Sequence, residues 1–541
     1  MKKVLSLISS CVMAIALVGC SNGTSSTKGV SGEFTGTAKG LGGDVTVTIT
    51  LEDSKITNVV AEGKDETEGI GTKALESMPE AMKEAGSINV DTVATATVTS
   101  NAILEAAKAA IESAGLNPED YMATSTSEPV AAEDVTKDCD VVVVGAGGAG
   151  MTAAITASDA GKSVIIVESQ GVAGGNSVRS TGGMNAAKTV YQDENEFGEE
   201  AGVEKTLKAA EAYTGENEDF VKELTETVKT QWAEYQANPT GYFDSVELFE
   251  LDTMIGGKGI NDPELVKTLV ENSADAIDWL ESIGATLHNV GQFGGAAVKR
   301  IHRPVNDEGK TLAVGSYVVP ILEKNVEDRG IEVMFNTTAN KILTDDNGAA
   351  CGIVAEGKNG ETVTINAKAV ILASGGFGAN NEMVAEQNPQ LDGYITTNAP
   401  GILGQGIKMA QEIGAGTVDM NQIQLHPTVH VAEDGSANLI TEGLRGDGAI
   451  LVNKEGKRFF DEVSTRDKVS AAENEQTDGM AWMIVDQKMY DASTVIQNYV
   501  KKGWMVSGDS VEDLAKAMDV DAATLQETID NWNTCVENKE D

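Results

Sequence analysis

The sequence predicts an α/β protein with a small α+β domain in front of it, and three observations carry that reading. Asp140-Val141-Val142-Val143-Val144 is an apolar run of strand length that ends in Gly145-Ala146-Gly147-Gly148-Ala149-Gly150. A small-residue stretch, Met151 to Ala160, follows as a helix, which makes a buried parallel strand feeding a helix through a tight turn. Upstream, Val45, Val47, Ile49 and Leu51 alternate with Thr46, Thr48 and Thr50, the period of a half-buried strand. The 541 residues, 41% hydrophobic with 58 glycines, allow two to four such domains.

The first residues stand apart from the fold. Lys2 and Lys3 precede an apolar run from Val4 to Val18, then Gly19-Cys20 and a Ser/Thr/Asn/Gly stretch. The run is short of the ~20 apolar residues that a membrane span needs. Leu17-Val18-Gly19-Cys20 resembles the lipobox of bacterial lipoproteins. The resemblance implies a signal peptide over 1–19, a lipid on Cys20, a tether over 20–29 and an extracytoplasmic protein anchored to the cell membrane of a bacterium. With Cys11 in the signal, Cys139, Cys351 and Cys535 are too few and scattered for a disulfide framework. Four histidines without a Cys/His cluster suggest no metal site. The net charge of −44 argues against a nucleic-acid partner, because phosphate binding needs clustered Lys and Arg.

Residues 30–115 form the front domain. After the alternating strand, Glu52-Asp53-Ser54-Lys55 turns the chain into a second strand, Ile56 to Val60. A helix is expected over Thr72–Glu84. Another is expected to begin near Asn101, with Ile103, Ala107, Ala110, Ile111 and Ala114 on one face. Between them lies Asp91-Thr92-Val93-Ala94-Thr95-Ala96-Thr97. It resembles the flavinylation site of FMN-binding domains, which implies FMN esterified to Thr97 by a flavin transferase. Here Ala94 and Thr95 stand where that family has Ser and Gly. A helix start suits the phosphate, since its free N–H groups and dipole favour an anion. The plain alternative is a threonine-rich loop that caps a helix.

Residues 116–137 read as a linker and 138–420 as the dinucleotide domain. The second strand, Ser163 to Val167, ends at Glu168, which stands 23 residues after Gly145. Gly145, Gly147 and Gly150 let a pyrophosphate approach the helix N-terminus, and the Glu168 carboxylate suits ribose hydroxyls. Gly175-Asn176-Ser177 and Gly182-Gly183 then offer backbone that can run under a flavin ring. Gly375, after the strand Ala369 to Ala373, offers a second close approach. These favour non-covalent FAD over NAD.

Residues 421–541 hold the chemistry. Only seven arginines occur in the chain, and two of them, Arg445 and Arg466, stand in motifs of one stretch with a histidine. The stretch runs from Gln424-Leu425-His426-Pro427-Thr428 through Thr441-Glu442-Gly443-Leu444-Arg445 to Ser464-Thr465-Arg466-Asp467. Cations gathered in so acidic a chain suit an anionic substrate. The order of motifs from 138 onward resembles the FAD-binding flavoproteins of the fumarate reductase/succinate dehydrogenase superfamily, in particular the flavocytochrome c fumarate reductases. The resemblance implies a capping domain over 421–541 and an FAD-dependent reductase of an α,β-unsaturated carboxylate. Fumarate, as terminal electron acceptor, is the first candidate. His426 and Thr441 resemble the residues that hold a substrate carboxylate, Arg466 the proton donor, and Glu442 with Arg445 the relay that reprotonates it. Covalent FMN would take the place that haem holds in the flavocytochromes and accept electrons from a membrane or extracellular donor. The local alternative for Arg466 is an ion pair with Glu462 or Asp467. Leu403 and Gln405 stand where the family carries Thr-Gly-Asp-Gly, which bears on substrate choice. The family's second substrate histidine and substrate arginine would follow Asp541, so the resemblance casts the chain as truncated. Urocanate, acrylate or another enoate is the rival substrate. An FMN electron carrier with an inactive FAD half is the rival function.

Overall fold

The computed structural model describes residues 29–538, apart from 67, 68, 70, 91, 94, 95, 123–132, 293–295, 433, 434 and 436. Cys20, the lipobox-like segment, and Asp91, Ala94 and Thr95 of the flavinylation motif lie outside the described residues.

The alternation at 45–51 builds the front domain. Strands β1 (Gly32–Lys39), β2 (Asp44–Glu52) and β3 (Lys55–Glu62) form an antiparallel sheet in that order. Val45, Val47, Ile49 and Leu51 of β2 are at most 1% exposed, while Thr46 and Thr48 turn outward and pair hydroxyls with Thr37 and Thr35 of β1. Helices α1 (Gly71–Ala85) and α2 (Thr97–Ser113) cover the apolar face with Met78, Met82, Ile103, Ala107 and Ile111. The sequence places the start of α2 near Asn101; it begins at Thr97. The β-branched Thr97-Val98-Thr99 reads as extended on propensity alone. Tertiary hydrogen bonds decide otherwise: Ser100 Oγ accepts from the N–H of Val93, and Thr99 Oγ1 donates to Glu66.

The larger domain is built on β4 (Val135–Val144), which starts inside the stretch read as linker. It leads into α3 (Gly148–Asp159), which opens three residues earlier than the sequence suggests because Gly148 and Gly150 accept helical geometry after the turn. Strand β5 (Val164–Val167) pairs parallel with β4 on one side and with the strand Glu332–Met334 on the other. The strand Thr362–Leu372 runs parallel to β4 on its other flank. Two antiparallel strands, Ala350–Glu356 and Thr338–Thr344, complete a six-stranded sheet. Val142, Val143 and Ile166 are fully buried at its centre. Five helices between Glu200 and Ser282 form a separate layer, held by Phe197, Trp232, Tyr235 and Phe243 in edge and tilted ring contacts.

From residue 421 the chain folds as two short antiparallel pairs, Val429–Val431 with Ala437–Leu439 and Ile450–Asn453 with Ala481–Ile484, backed by helices. No described helix is long and apolar enough to cross a membrane. Among the described residues no group of three or more His, Cys, Asp or Glu could hold a metal ion.

Candidate active site

The glycine turn forms as the sequence requires. Gly145 sits at φ +108, and a Cβ there would lie 2.4 Å from the carbonyl of Ala373. A Cβ at Gly150 would lie 1.9 Å from the carbonyl of Gly145. These two glycines hold β4, α3 and the 362–372 strand together. Others face open space. A Cβ at Gly147 would meet nothing nearer than 3.8 Å, at Gly182 nothing nearer than 3.8 Å, and at Gly175 nothing within 4 Å. Gly147 caps α3 without any side-chain bond, so the N–H groups of the first turn point into that space. Ser177 reaches the same spot, its Oγ accepting from the N–H of Gly148 at 3.0 Å. Asn176 is fixed by Asn398 at 2.6 Å and by the N–H of Ala399 at 2.7 Å. Glu168 is buried and accepts the N–H groups of Ala146 and Gln170, both at 2.8 Å. Gly183 lies against the carbonyl of His302 and the side chain of Arg303, and Gly375, at φ +74, has Ile402 as its near neighbour. An open, backbone-lined cleft at a helix N-terminus fits a dinucleotide.

The cationic cluster assembles from three loop and helix starts. The backbone of Thr428 and Ile440 pairs at 3.1 Å, and Thr428 Oγ1 donates to the carbonyl of Ile440 at 3.0 Å. This pairing sets His426 beside Glu442. Arg445 follows on a single helical turn, Gly443–Gly446, and Arg466 opens the helix Arg466–Asn474. Arg466 grips Glu442 with two parallel N–H groups, Nε to Oε1 at 2.5 Å and Nη2 to Oε2 at 2.8 Å. It pairs with neither Glu462 nor Asp467, the partners nearest in sequence. Glu462 is taken by Arg458, and Asp467 by Lys258 of the helical layer. Arg445 Nη2 donates to Glu442 at 3.1 Å, and His426 Nε2 stands 4.0 Å from the same oxygen. Three of the proposed residues, Arg466, Arg445 and His426, thus meet the carboxylate of a fourth, Glu442. Thr441 adjoins it in sequence, its own N–H donating to the Tyr499 hydroxyl at 3.1 Å.

The electrostatics follow from this packing. Burial pushes the Glu442 carboxyl up, but the Arg466 hydrogen bonds and the charges of Arg466, His426 and Arg445 outweigh it and hold the group below the usual range. Burial pushes the His426 imidazole down; Glu442 opposes this and Arg466 adds to it, so the ring is lowered on balance. Hydrogen bonding to Glu442 holds the Arg466 guanidinium up. The cluster therefore rests with an anion at its centre, two guanidiniums on it and a neutral imidazole at its edge. Gln424, whose Oε1 accepts from Arg466 Nη1 at 2.5 Å, went unassigned in sequence. Its place two residues before His426 was the only signal.

The front domain sits against both others. A Cβ on Gly69 would meet Pro320 at 3.3 Å and Val178, the residue after Ser177, at 3.7 Å. Lys73 pairs with Glu323 across this contact, and Lys501 of the 421–538 region pairs with Asp65 at 2.9 Å. Thr97 opens α2 after Ala96, which supplies no capping side chain. Two residues on, Thr99 donates to Glu66 at 2.5 Å, beside Gly71. The N-terminal end of α2 thus faces the loop that presses on the glycine cleft.

A model of the FAD binding domain matches residues 140–243 and 232–541, and one of the FMN-binding domain matches 40–112. The first of these covers well over half the chain. The chain belongs to the fumarate reductase-type flavoproteins, with an FMN-binding domain in front of the FAD-binding domain. It is 40% identical over 402 residues to a fumarate reductase (cytochrome) of Shewanella frigidimarina, covering 74% of this chain and 61% of that protein. It is 32% identical to a urocanate reductase of Eggerthella lenta, over 96% of this chain and 80% of that protein. The chain therefore spans less than two thirds of the first relative's length. Among solved structures it is similar to the open conformation of a flavocytochrome c3 fumarate reductase. That match has a TM-score of 0.57 and 35% identity over 74% of this chain and 62% of the other.

Proposed function

We propose that this protein is a flavin-dependent reductase of an α,β-unsaturated carboxylate, with fumarate its foremost substrate. The observation that carries the proposal is the shared carboxylate: Glu442 met by Arg466, Arg445 and His426, in a chain that matches an FAD binding domain. Bound FAD supplies hydride to the substrate double bond. His426 and Thr441 hold a substrate carboxylate and draw off its charge, which makes the adjacent double bond electron-poor. Arg466 then gives a proton to the carbon that has gained negative charge. A free guanidinium hardly releases protons, so donation must be concerted with return of a proton from Glu442 and Arg445. The bidentate contact supports that reading: Glu442 touches two nitrogens of Arg466.

FMN carried covalently on Thr97 passes electrons inward in this reading. The contact of the Gly69 loop with Pro320 and Val178 supports it by keeping the two flavin sites close. Cys20 carries the lipid, which places the protein on the outer side of the membrane within reach of a membrane or extracellular donor. Leu403 and Gln405, and the likeness to a urocanate reductase along most of both chains, make urocanate the second substrate to try. Dithionite-reduced protein mixed with fumarate, urocanate or acrylate, followed by chromatography of the products, tests the assignment. Succinate from fumarate is expected. No product from any of the three would leave an FMN electron carrier with an inactive FAD half.

A further inference from the structure

Seven arginines stand among 84 acidic residues, and five of the seven hold carboxylates. Arg300 binds Asp244 through Nε at 2.9 Å and Nη2 at 2.7 Å. Arg329 meets Asp159 and Arg458 meets Glu462, both at 2.7 Å. Arg445 and Arg466 share Glu442. Among the described residues Arg179 and Arg303 hold no carboxylate. Arg179 makes one long side-chain hydrogen bond, Nη1 to the carbonyl of Thr397 at 3.4 Å, and Arg303 makes none. The Nε of each is buried without a partner. Arg445 also leaves its Nε unmatched, but both its Nη groups are taken. Acids outnumber bases 84 to 40, so a shortage of carboxylates does not explain the two exceptions. Burial pushes both guanidiniums down, where hydrogen bonds to Asp159 and Glu442 hold those of Arg329 and Arg466 up. A guanidinium drawn out of water with unmatched N–H groups is costly unless an anion meets it, and its planar fork matches carboxylate and phosphate oxygens.

Both exceptions stand on the glycine segments. Arg179 follows Gly174-Gly175-Asn176-Ser177, whose serine accepts from the N–H of Gly148 at the start of α3. Asn176 and Arg179 cross to the same stretch, Asn176 to Asn398 and Ala399, Arg179 to Thr397. Arg303 ends the strand Ile301–Arg303, which pairs with Met184-Asn185, and its side chain covers Gly183. A Cβ on Gly183 would lie 2.9 Å from Arg303 Cγ, while one on Gly182 would meet nothing nearer than 3.8 Å.

We propose that Arg179 and Arg303 are anion-binding residues of the glycine cleft, each donating to an oxyanion of a ligand bound there. Arg179, beside the serine that meets the helix start, takes a phosphate oxygen of the dinucleotide. Arg303 covers backbone that suits a flavin ring, so its oxyanion is a flavin oxygen or the carboxylate of an enoate reduced there. The second source rests on the proposed function; the phosphate and flavin oxygens do not.

The test is equilibrium dialysis of the FAD-stripped full chain against FAD, and of the FAD-loaded chain against succinate. The parent is compared with Arg179→Gln, Arg303→Gln and Arg329→Gln. Arg329→Gln removes the same charge from an arginine paired with the last residue of α3, at the other end from the glycine turn. Loss of a hydrogen bond to a charged group weakens binding about tenfold or more, so Arg179→Gln should raise the FAD Kd by that factor. Arg303→Gln should raise the Kd of FAD or that of succinate by as much, the first result naming a flavin oxygen and the second a substrate carboxylate. Arg329→Gln should leave both within about twofold, since a half-exposed ion pair contributes little. The stripped Arg179→Gln and Arg303→Gln proteins should melt no lower than the parent, because each loses a buried cation that has no carboxylate. An arginine whose Gln variant moves neither Kd beyond the Arg329→Gln control is overturned as an anion site. A stripped variant that melts well below the parent also overturns it, since that arginine then serves the fold. Protein that binds no succinate but loses FAD in both variants upholds the inference and counts against the proposed function alone.

Discussion

Arg466→Ala is the perturbation in which a structural and a chemical role give different numbers. The Arg466 side chain is 41% exposed and that of Glu442 32%, so their ion pair is screened by solvent despite its bidentate geometry. Such a pair contributes ~1 kcal/mol or less to stability. In a chain of 541 residues that is a melting shift of about 1 °C or less. Glu442 retains Arg445 and His426 as partners, which further limits the loss. A positioned general acid, by contrast, supplies ~10²–10⁴-fold in rate, or about 2.7–5.5 kcal/mol of barrier. The expected result is a fall in fumarate turnover of at least ~100-fold, with FAD content unchanged and about 1 °C or less lost in Tm. Arg466→Lys should recover little, because one ammonium cannot span both Glu442 oxygens and reach Gln424. The assay is viologen-linked turnover beside differential scanning fluorimetry on the same preparation. Turnover within about tenfold of the parent in Arg466→Ala would remove the residue from the chemistry and leave it a surface ion pair.

Three further variants test the geometry. Glu442→Gln should slow turnover ~10–100-fold while fumarate Kd stays nearly constant, because its task is proton supply and not binding. Since the Glu442 carboxyl is depressed in the fold, its stabilisation is present above its ordinary value of 4.5 and is lost as pH falls below it. Glu442→Gln should therefore flatten the acid limb of the stability curve, and an unchanged limb in urea melts at pH 3–6 would contradict the charge assignment. Gly150→Ala places a methyl 1.9 Å from the Gly145 carbonyl and should strip FAD while leaving FMN on the front domain; retained FAD in acid-precipitated supernatants would refute that turn as the cofactor site. Thr97→Ala, expressed with a flavin transferase, should lose the flavin colour and mass that survive denaturation. Flavin persisting in that variant would move the attachment, with Thr95 and Thr99 the next positions to replace.

The strand–glycine–helix unit was legible in sequence because everything it needs is local: an apolar run, then glycines where a Cβ would strike Ala373 or Gly145. The alternation at 45–51 was legible for the same reason, and its four apolar residues form the front core. Local reading failed where distant partners decide. Thr97-Val98-Thr99 lacks helical propensity, yet α2 starts there because Glu66 and Val93 engage its first turn. Arg466 has acids at positions 462 and 467, yet it reaches back 24 residues to Glu442.

The central claim is that reducing equivalents held on this protein's flavins leave through an enoate. Stopped-flow absorbance at 450 nm, with anaerobically reduced protein mixed against fumarate, measures that directly. The account predicts prompt reoxidation of the flavin with stoichiometric succinate, and slow or absent reoxidation in Arg466→Ala carrying the same FAD. Flavin that stays reduced with fumarate, urocanate and acrylate alike, in protein shown to hold FAD, would contradict it.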